Sequence, residues 1–462
     1  MQVIVIGGDA AGMSAASQVK RQRPDSHVIV FEKGRYISYA ACGIPYYVGG
    51  DVPAMEELIE LTPEEVIEKR RIDLRLKHEV TQILPEDKKV IVQSRGEMWE
   101  ESYDKLMIAV GASPNRMGTE DLSRVFTAHD LEDAGRIMSF LEEEKPVTAA
   151  VLGGGYIGLE MAEAFRERGL ETIIVHRRNE LHRSFEPEIS DIIRDKLTEN
   201  GVIQKFGSPV RDIREQGKKV LIRTEKETIE VDMLILAAGV IPNSELAARA
   251  GIALGTNGAI QVNEFLETSC PDIYAAGDCA TTRMIGFDRE IYTALALKAN
   301  KQGMIGGINI AGGRERFAGV LNSAVTRIFD LGAACTGLTF SEAEEMDLEP
   351  QKITVKSRDR ARYFPDSSPL TTLLTVSKKD RRILGAQLAG KTDAVKRIDV
   401  YSLAIHNRMT VDQLFDMDLA YAPPFAPVYD PVLLAARVAR KKVEPAGSDT
   451  SDLDASMQIE HW

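Results

Sequence analysis

Cys42 stands in Ser38-Tyr39-Ala40-Ala41-Cys42-Gly43-Ile44-Pro45-Tyr46, among residues small enough to let a ligand approach. A helix beginning near Cys42 would lower the thiol's pKa through its dipole and free N–H groups, supplying the thiolate that disulfide exchange needs. The alternative is a small buried core cysteine. The remaining cysteines, Cys270, Cys279 and Cys335, share no C-x-x-C spacing, so the four make neither a disulfide framework nor a zinc site. The seven histidines form no metal-binding spacing either, and no metal is expected.

Two glycine turns offer a second kind of chemistry. Val5-Ile6-Gly7-Gly8-Asp9-Ala10-Ala11-Gly12 reads as a strand turning into a helix whose exposed N–H groups suit a pyrophosphate. Asp9 occupies the middle glycine position of G-x-G-x-x-G and puts a side chain near that pyrophosphate. Glu32 closes the next strand 20 residues after Gly12, where an acid accepts ribose hydroxyls, with Lys33 beside it. Val151-Leu152-Gly153-Gly154-Gly155-Tyr156-Ile157-Gly158 matches all three glycine positions. Its following strand ends in Val175-His176-Arg177-Arg178, where an NAD site usually carries an acid. Two guanidiniums and an imidazole favour a 2′-phosphate, hence NADPH with NADH as the alternative, unless they are solvated surface residues. Asp278, after the apolar run Ile273-Tyr274-Ala275-Ala276-Gly277, is an acid at a strand's end that can bond a chain of hydroxyls.

These residues need a frame to hold them. Strand-like and helix-like segments alternate through the first 320 residues: Gln2–Ile6 strand, Ala11–Arg23 helix, Val28–Glu32 strand, and much the same from Thr148. The pattern predicts an α/β fold with parallel sheets, and the 146-residue interval between Gly7 and Gly153 predicts two related Rossmann-like nucleotide-binding domains, one inserted in the other. Expected boundaries are 1–115 with 245–318 for the first domain and 116–244 for the second. Ile108-Ala109-Val110-Gly111 and Ile235-Leu236-Ala237-Ala238-Gly239 read as the crossovers between them. Residues 319–443 read as an α+β domain, with strands at Ile353–Lys356, Thr371–Ser377 and Ile383–Leu388 and helices at Ala394–His406 and Thr410–Phe415. A polar tail occupies 444–462.

Composition excludes other classes. At about 150 residues per domain, 462 residues make two or three domains. A net charge of −13 repels a phosphate backbone or an anionic membrane surface, so no nucleic acid or membrane partner is expected. The longest charge-free stretch, 15 residues between Arg35 and Asp51, is too short to span a bilayer. No secretory signal is visible, and a cytoplasmic location is expected.

Taken together, the Cys42 segment and Tyr421-Ala422-Pro423-Pro424-Phe425-Ala426-Pro427 resemble the pyridine nucleotide–disulfide oxidoreductases. The likeness covers about residues 1–440 and is strongest to the single-cysteine coenzyme A disulfide reductases, with their persulfide-reducing and NADH oxidase relatives. The resemblance implies FAD on the Gly7, Gly8, Ala11, Gly12 turn, with Asp278 at its ribityl chain and Gly277, Ala109 and Gly111 nearby. NAD(P)H falls to Gly153, Gly155, Tyr156, Ile157, Gly158, His176, Arg177, Arg178 and Gly239. It also implies a C-terminal dimerisation domain over 319–443 and a homodimer with shared active sites, in which Tyr421 and Tyr363 assist disulfide cleavage at the other subunit's cysteine. The substrate implied is coenzyme A disulfide or a coenzyme A persulfide, its phosphates meeting Arg21 and Ser38 from a basic group that includes Lys20, Arg23, Arg70 and Arg71. Ala10 stands where peroxidases and many oxidases of the group have histidine, and Ala41 where many coenzyme A disulfide reductases have asparagine. An NADH oxidase cycling Cys42 through a sulfenic acid stays open, as does a flavin-bearing redox sensor.

Overall fold

The computed structural model describes residues 1–181 and 183–443, so His182, His461 and the expected polar tail lie outside the described residues. The chain divides into two compact units, one made of Met1–Arg183 and Ile193–Asn322, the other of Ser184–Ile192 and the described residues from Ser323 on.

In the first unit, strand Gln2–Ile6 lies between Lys105–Ile108 and His27–Glu32 in a five-stranded sheet whose outer strands are Ile273–Ala275 and Asp73–Leu76. All four pairings are parallel. Alternate residues face opposite sides of a strand. Val3 and Val5 therefore pack with Ala11, Met13 and Ala15 of helix Ala10–Gln22 on one face, while Ile4 and Ile6 pack with Val80, Val90 and Val92 on the other. Covering both faces is why the strand reads as an unbroken apolar run. A second parallel sheet repeats the plan in the order Ile203–Lys205, Glu171–Val175, Thr148–Leu152, Met233–Leu236, Val125–Phe126. In each sheet the strand order reverses beside the strand that feeds the glycine turn, which is where ligands bind in open α/β sheets.

Crossover strands Ala112–Pro114 and Val240–Pro242 pair antiparallel. Asn115 N–H donates to the Gly239 carbonyl at 2.9 Å and Asn243 N–H to the Gly111 carbonyl at 3.0 Å, so the two connections brace each other.

The second unit holds a five-stranded antiparallel sheet in the order Ala324–Ile328, Leu331–Gly337, Ile383–Lys391, Pro369–Ser377, Pro350–Arg358. Helix Pro431–Lys442 packs on it, started by proline and by the Asp430 carboxylate accepting the Val432 N–H at 2.9 Å. The single helix expected over Ala394–His406 is a 3₁₀ turn, Ala394–Arg397, leading into an α-helix, Ile398–His406. Ser184–Ile192 joins this unit through Glu186, whose N–H donates to Gln387 Oε1 at 2.8 Å and whose Oε1 accepts the Phe340 N–H at 2.9 Å.

Candidate active site

The two glycine turns are geometric copies. Gly7 and Gly153 have φ of +104° and +128°, and a Cβ on either would lie 2.2 Å from the Ala109 carbonyl oxygen or 2.1 Å from that of Ala237. Only glycine fits such an approach. Gly12 and Gly158 let each helix start pass over its own turn, since a Cβ there would lie 1.9 and 2.1 Å from the Gly7 and Gly153 oxygens. Helices Ala10–Gln22 and Tyr156–Glu167 begin without a side-chain cap, at Asp9 and Gly155, which leaves N–H groups for an anion. Ala11 is buried in the first helix start, and Ile157 is exposed in the second.

The copies differ in the residue opposite the turn. Glu32 accepts the N–H of Gly8 at 2.8 Å and that of Gly34 at 2.6 Å. In the second turn His176 Nδ1 accepts the N–H of Gly154 at 3.1 Å, so the ring is unprotonated at that nitrogen. Burial first, then the charges of Arg177 and Arg178, hold His176 below the ordinary imidazole range. Arg177 and Arg178 are exposed and take no side-chain partner among the described residues. Lys33 is exposed just past Glu32.

Asp9 does not cap its helix. Its Oδ1 accepts the Tyr39 N–H at 3.3 Å, three residues before Cys42. Burial pushes its pKa up to about 6, and the nearby carboxylates of Glu32 and Asp278 push the same way, against backbone hydrogen bonds from Tyr39 and Ala10. The side chain expected beside the pyrophosphate is therefore a carboxyl that holds its proton well above the usual carboxylate range. Asp278 is raised too, by burial, with Lys298 and His129 opposing. Its Oδ1 is buried without a hydrogen-bond partner. A buried acceptor with nothing to accept from suits ligand hydroxyls.

Cys42 lies in a 3₁₀ turn, Ala41–Gly43, that runs into helix Ile44–Gly49. That helix rests on Tyr156–Glu167: a Cβ on Gly49 would be 3.4 Å from Ala164 Cα, and Arg168 Nε donates to the Val48 carbonyl. The helix that follows Cys42 is thereby packed on the helix that starts at the second glycine turn. Of the four cysteines, Cys42 alone is exposed. The expected lowering of its pKa does not occur. Although Cys42 is exposed as a residue, desolvation raises its thiol, and Glu160, Asp278 and Asp9 raise it further. A short helix start two residues on does not outweigh three acidic side chains.

Ser38 has φ of +42°, and its N–H donates to the Gly8 carbonyl at 3.1 Å, tying the segment before Cys42 to the first turn. Within the basic group, Lys20 donates to the carbonyls of Pro24 and Ser26, Arg23 to that of Ala311, and Arg70 to Ser17 Oγ. Arg21 is exposed with only a 3.4 Å contact to Gln18 Oε1, which leaves its guanidinium available.

Tyr363 and Tyr421 come from separate loops of the second unit and meet there. They are 77% and 47% exposed. Slight desolvation and then the neighbouring Tyr363 hydroxyl raise Tyr421.

Sequence reasoning missed Lys298 and Gln302, buried polar residues four apart on helix Ala296–Ile310 whose side chains bond to the turn carrying Asp278. A Lys and a Gln at helical spacing on an otherwise apolar helix face, just after a Gly-Asp turn, was the available signal. It missed Glu160 as well, which acts on Cys42 from another part of the chain.

Residues 323–431 match the dimerisation domain of the pyridine nucleotide-disulphide oxidoreductases. The chain is 40% identical over 442 residues to the NAD(P)H coenzyme A polysulfide/persulfide reductase of Pyrococcus horikoshii, spanning 95% of this chain and 98% of that protein. It is 34% identical over 428 residues to the coenzyme A disulfide reductase of Staphylococcus aureus strain JH9, spanning 92% and 96%. Among solved structures, an engineered water-forming NADPH oxidase made from the Lactobacillus brevis NADH oxidase and bound to NADPH superposes with a TM-score of 0.91 at 29% identity, over 96% of this chain and 99% of that one. Such relatives imply FAD and NAD(P)H as the two dinucleotides, and paired glycine turns with an orphaned acid at Asp278 fit that pair. With residues 1–303 matching its main domain, the chain belongs to the pyridine nucleotide-disulphide oxidoreductase family.

Proposed function

We propose that this protein is a homodimeric, FAD-containing, NAD(P)H-dependent reductase of disulfide-type sulfur, acting on coenzyme A disulfide or a coenzyme A persulfide in the cytoplasm. The observation that carries the proposal is Cys42, the one exposed cysteine, placed just before a helix that packs on the one starting at the second glycine turn. Relatives named for coenzyme A disulfide and persulfide reduction support the substrate class.

In this reading Gly7, Gly8, Gly12, Glu32 and Asp278 hold FAD, and Gly153, Gly155, Gly158, His176, Arg177 and Arg178 hold the nicotinamide coenzyme. FAD held there would supply the route by which the electron pair of NAD(P)H reaches the sulfur at Cys42. The Cys42 thiolate attacks one sulfur of the substrate, the S–S bond breaks, and one thiolate leaves while the other stays as a mixed disulfide. The partner subunit's Tyr421 and the partner subunit's Tyr363 protonate the leaving thiolate. That one electron pair, with a proton, then cleaves the mixed disulfide, restores the Cys42 thiolate and frees the held thiol. The raised thiol pKa makes the thiolate, once formed, a stronger nucleophile. Arg21 and Ser38 meet the coenzyme A phosphates, where a free guanidinium is the best donor for phosphate.

The test is anaerobic consumption of NADPH and NADH by the purified protein with coenzyme A disulfide, with coenzyme A persulfide and with neither, beside Cys42→Ser. Turnover that depends on Cys42 supports the reductase. The likeness to water-forming oxidases favours one second reading, an NADH oxidase. Consumption sustained by oxygen alone, with no sulfur acceptor turned over, would replace the first reading with this one.

A further inference from the structure

The turn Gly277–Thr281, which carries Asp278, is gripped from one side by two residues of helix Ala296–Ile310. Gln302, fully buried, accepts the Gly277 N–H at 3.0 Å and donates to the Thr281 carbonyl at 3.0 Å. Lys298, 2% exposed, donates to the carbonyls of Gly277 at 2.9 Å, Ala280 at 2.8 Å and Thr293 at 3.0 Å. An ammonium has three donors and no acceptor, and here each donor has a carbonyl. A neutral amine would turn its lone pair on one of those oxygens, so the geometry favours the cation against burial, which lowers the ammonium's pKa.

We propose that Lys298 is a positioning residue for the flavin site: it fixes the turn that presents Asp278 and supplies the buried positive charge that sets the cofactor's reduction potential. The proposal rests on the reading that Asp278 and the first glycine turn hold FAD. Gln302 shares the first role but not the second, because it bonds the same turn without a charge. Asp278 Oδ1 is buried and takes no hydrogen bond from the clamp, which leaves it for a ligand. Its counter-charges are Lys298 and His129. Two-electron reduction of a flavin increases negative charge on its ring, and a fixed cation in a water-poor site favours that form over the oxidised one.

The two roles separate on purified holoenzyme carrying Lys298→Met, Lys298→Gln or Gln302→Leu, with FAD dissociation and the two-electron midpoint potential as readouts. All three variants should hold FAD at least tenfold more weakly. Only the Lys298 variants should lower the potential, by about 30 mV for every tenfold loss of hold on reduced relative to oxidised flavin. Lys298→Gln keeps two donors and serves where Lys298→Met does not fold. An unchanged potential in the Lys298 variants, or an equal shift in Gln302→Leu, overturns the electrostatic role. Wild-type protein that binds no FAD at all would sink the cofactor assignment itself, a result distinct from either.

Discussion

The imidazole of His176 accepts the N–H of Gly154 at 3.1 Å, the same service that Glu32 performs for Gly8 at 2.8 Å in the first turn. Structurally the two residues are equivalents; chemically they are opposites. The carboxylate attracts hydroxyls and repels phosphate, whereas a neutral imidazole followed by two guanidiniums without a partner among the described residues accepts a phosphate readily.

From this equivalence comes a prediction about coenzyme choice. Arg177→Ala and Arg178→Ala should each raise KM for NADPH roughly 10- to 150-fold, the loss of a charged hydrogen bond of about 1.5–3 kcal/mol, and leave KM for NADH nearly unchanged. His176→Glu should reverse the preference by restoring the acid. Steady-state kcat/KM with both coenzymes measures it, and equal effects on NADH and NADPH would refute the assignment.

A second prediction concerns Cys42. Its thiol is raised from an ordinary value of 9.0 by burial and by Glu160, Asp278 and Asp9, so in the cofactor-free protein the rate of iodoacetamide alkylation should still be climbing above pH 9. Glu160→Gln should bring the midpoint down, and each unit of lowering multiplies the thiolate fraction at pH 7.5 about tenfold. Mass spectrometry of the Cys42 peptide reads the rate. An alkylation midpoint below that of a free thiol would mean that the helix start dominates after all.

What the sequence made legible was local. Gly153-Gly154-Gly155-Tyr156-Ile157-Gly158 announced its own turn, because strand, glycines and helix lie within one short segment, and its interval from Gly7 announced the repeat. The acidity of Cys42 was not legible, since Glu160 and Asp278 reach it from far along the chain. Nor was the attachment of Ser184–Ile192 to the second unit, because Glu186 meets Phe340 and Gln387, 154 and 201 residues away. Lys298 was hidden for a related reason: a lysine in a helix usually faces water, and only the folded turn brings three carbonyls to its ammonium.

Asp9 yields a prediction about stability. Folding raises this carboxyl to about 6 from 3.8, so the folded state binds the extra proton between those values and loses stability as pH rises through that window. The loss, present in full above about pH 6, amounts to about 3 kcal/mol. Asp9→Asn keeps an oxygen for the Tyr39 N–H and removes the charge. Urea unfolding of the cofactor-free protein should show the variant more stable at pH 8 and no more stable at pH 4. An equal difference at both values would show that folding of this region is not linked to a proton on Asp9 in that window.

The exposed tyrosine pair yields the last. If the partner subunit's Tyr363 and the partner subunit's Tyr421 serve Cys42, then Tyr421→Phe should lower the rate of disulfide cleavage roughly 10²-fold or more, as loss of a positioned proton donor does. Because the two hydroxyls interact, Tyr363→Phe on top of it should cost less than its effect alone. Sharing between subunits has a sharper signature. A chain with Cys42→Ser and a chain with both tyrosines changed to Phe are each inactive as homodimers, yet a heterodimer of the two keeps one whole site. Random reassembly from equal amounts makes half the dimers mixed, so about a quarter of wild-type activity should return. Activity that stays at the homodimer background, with mixed dimers present by native mass spectrometry, would place the tyrosines outside the reaction at the partner's cysteine.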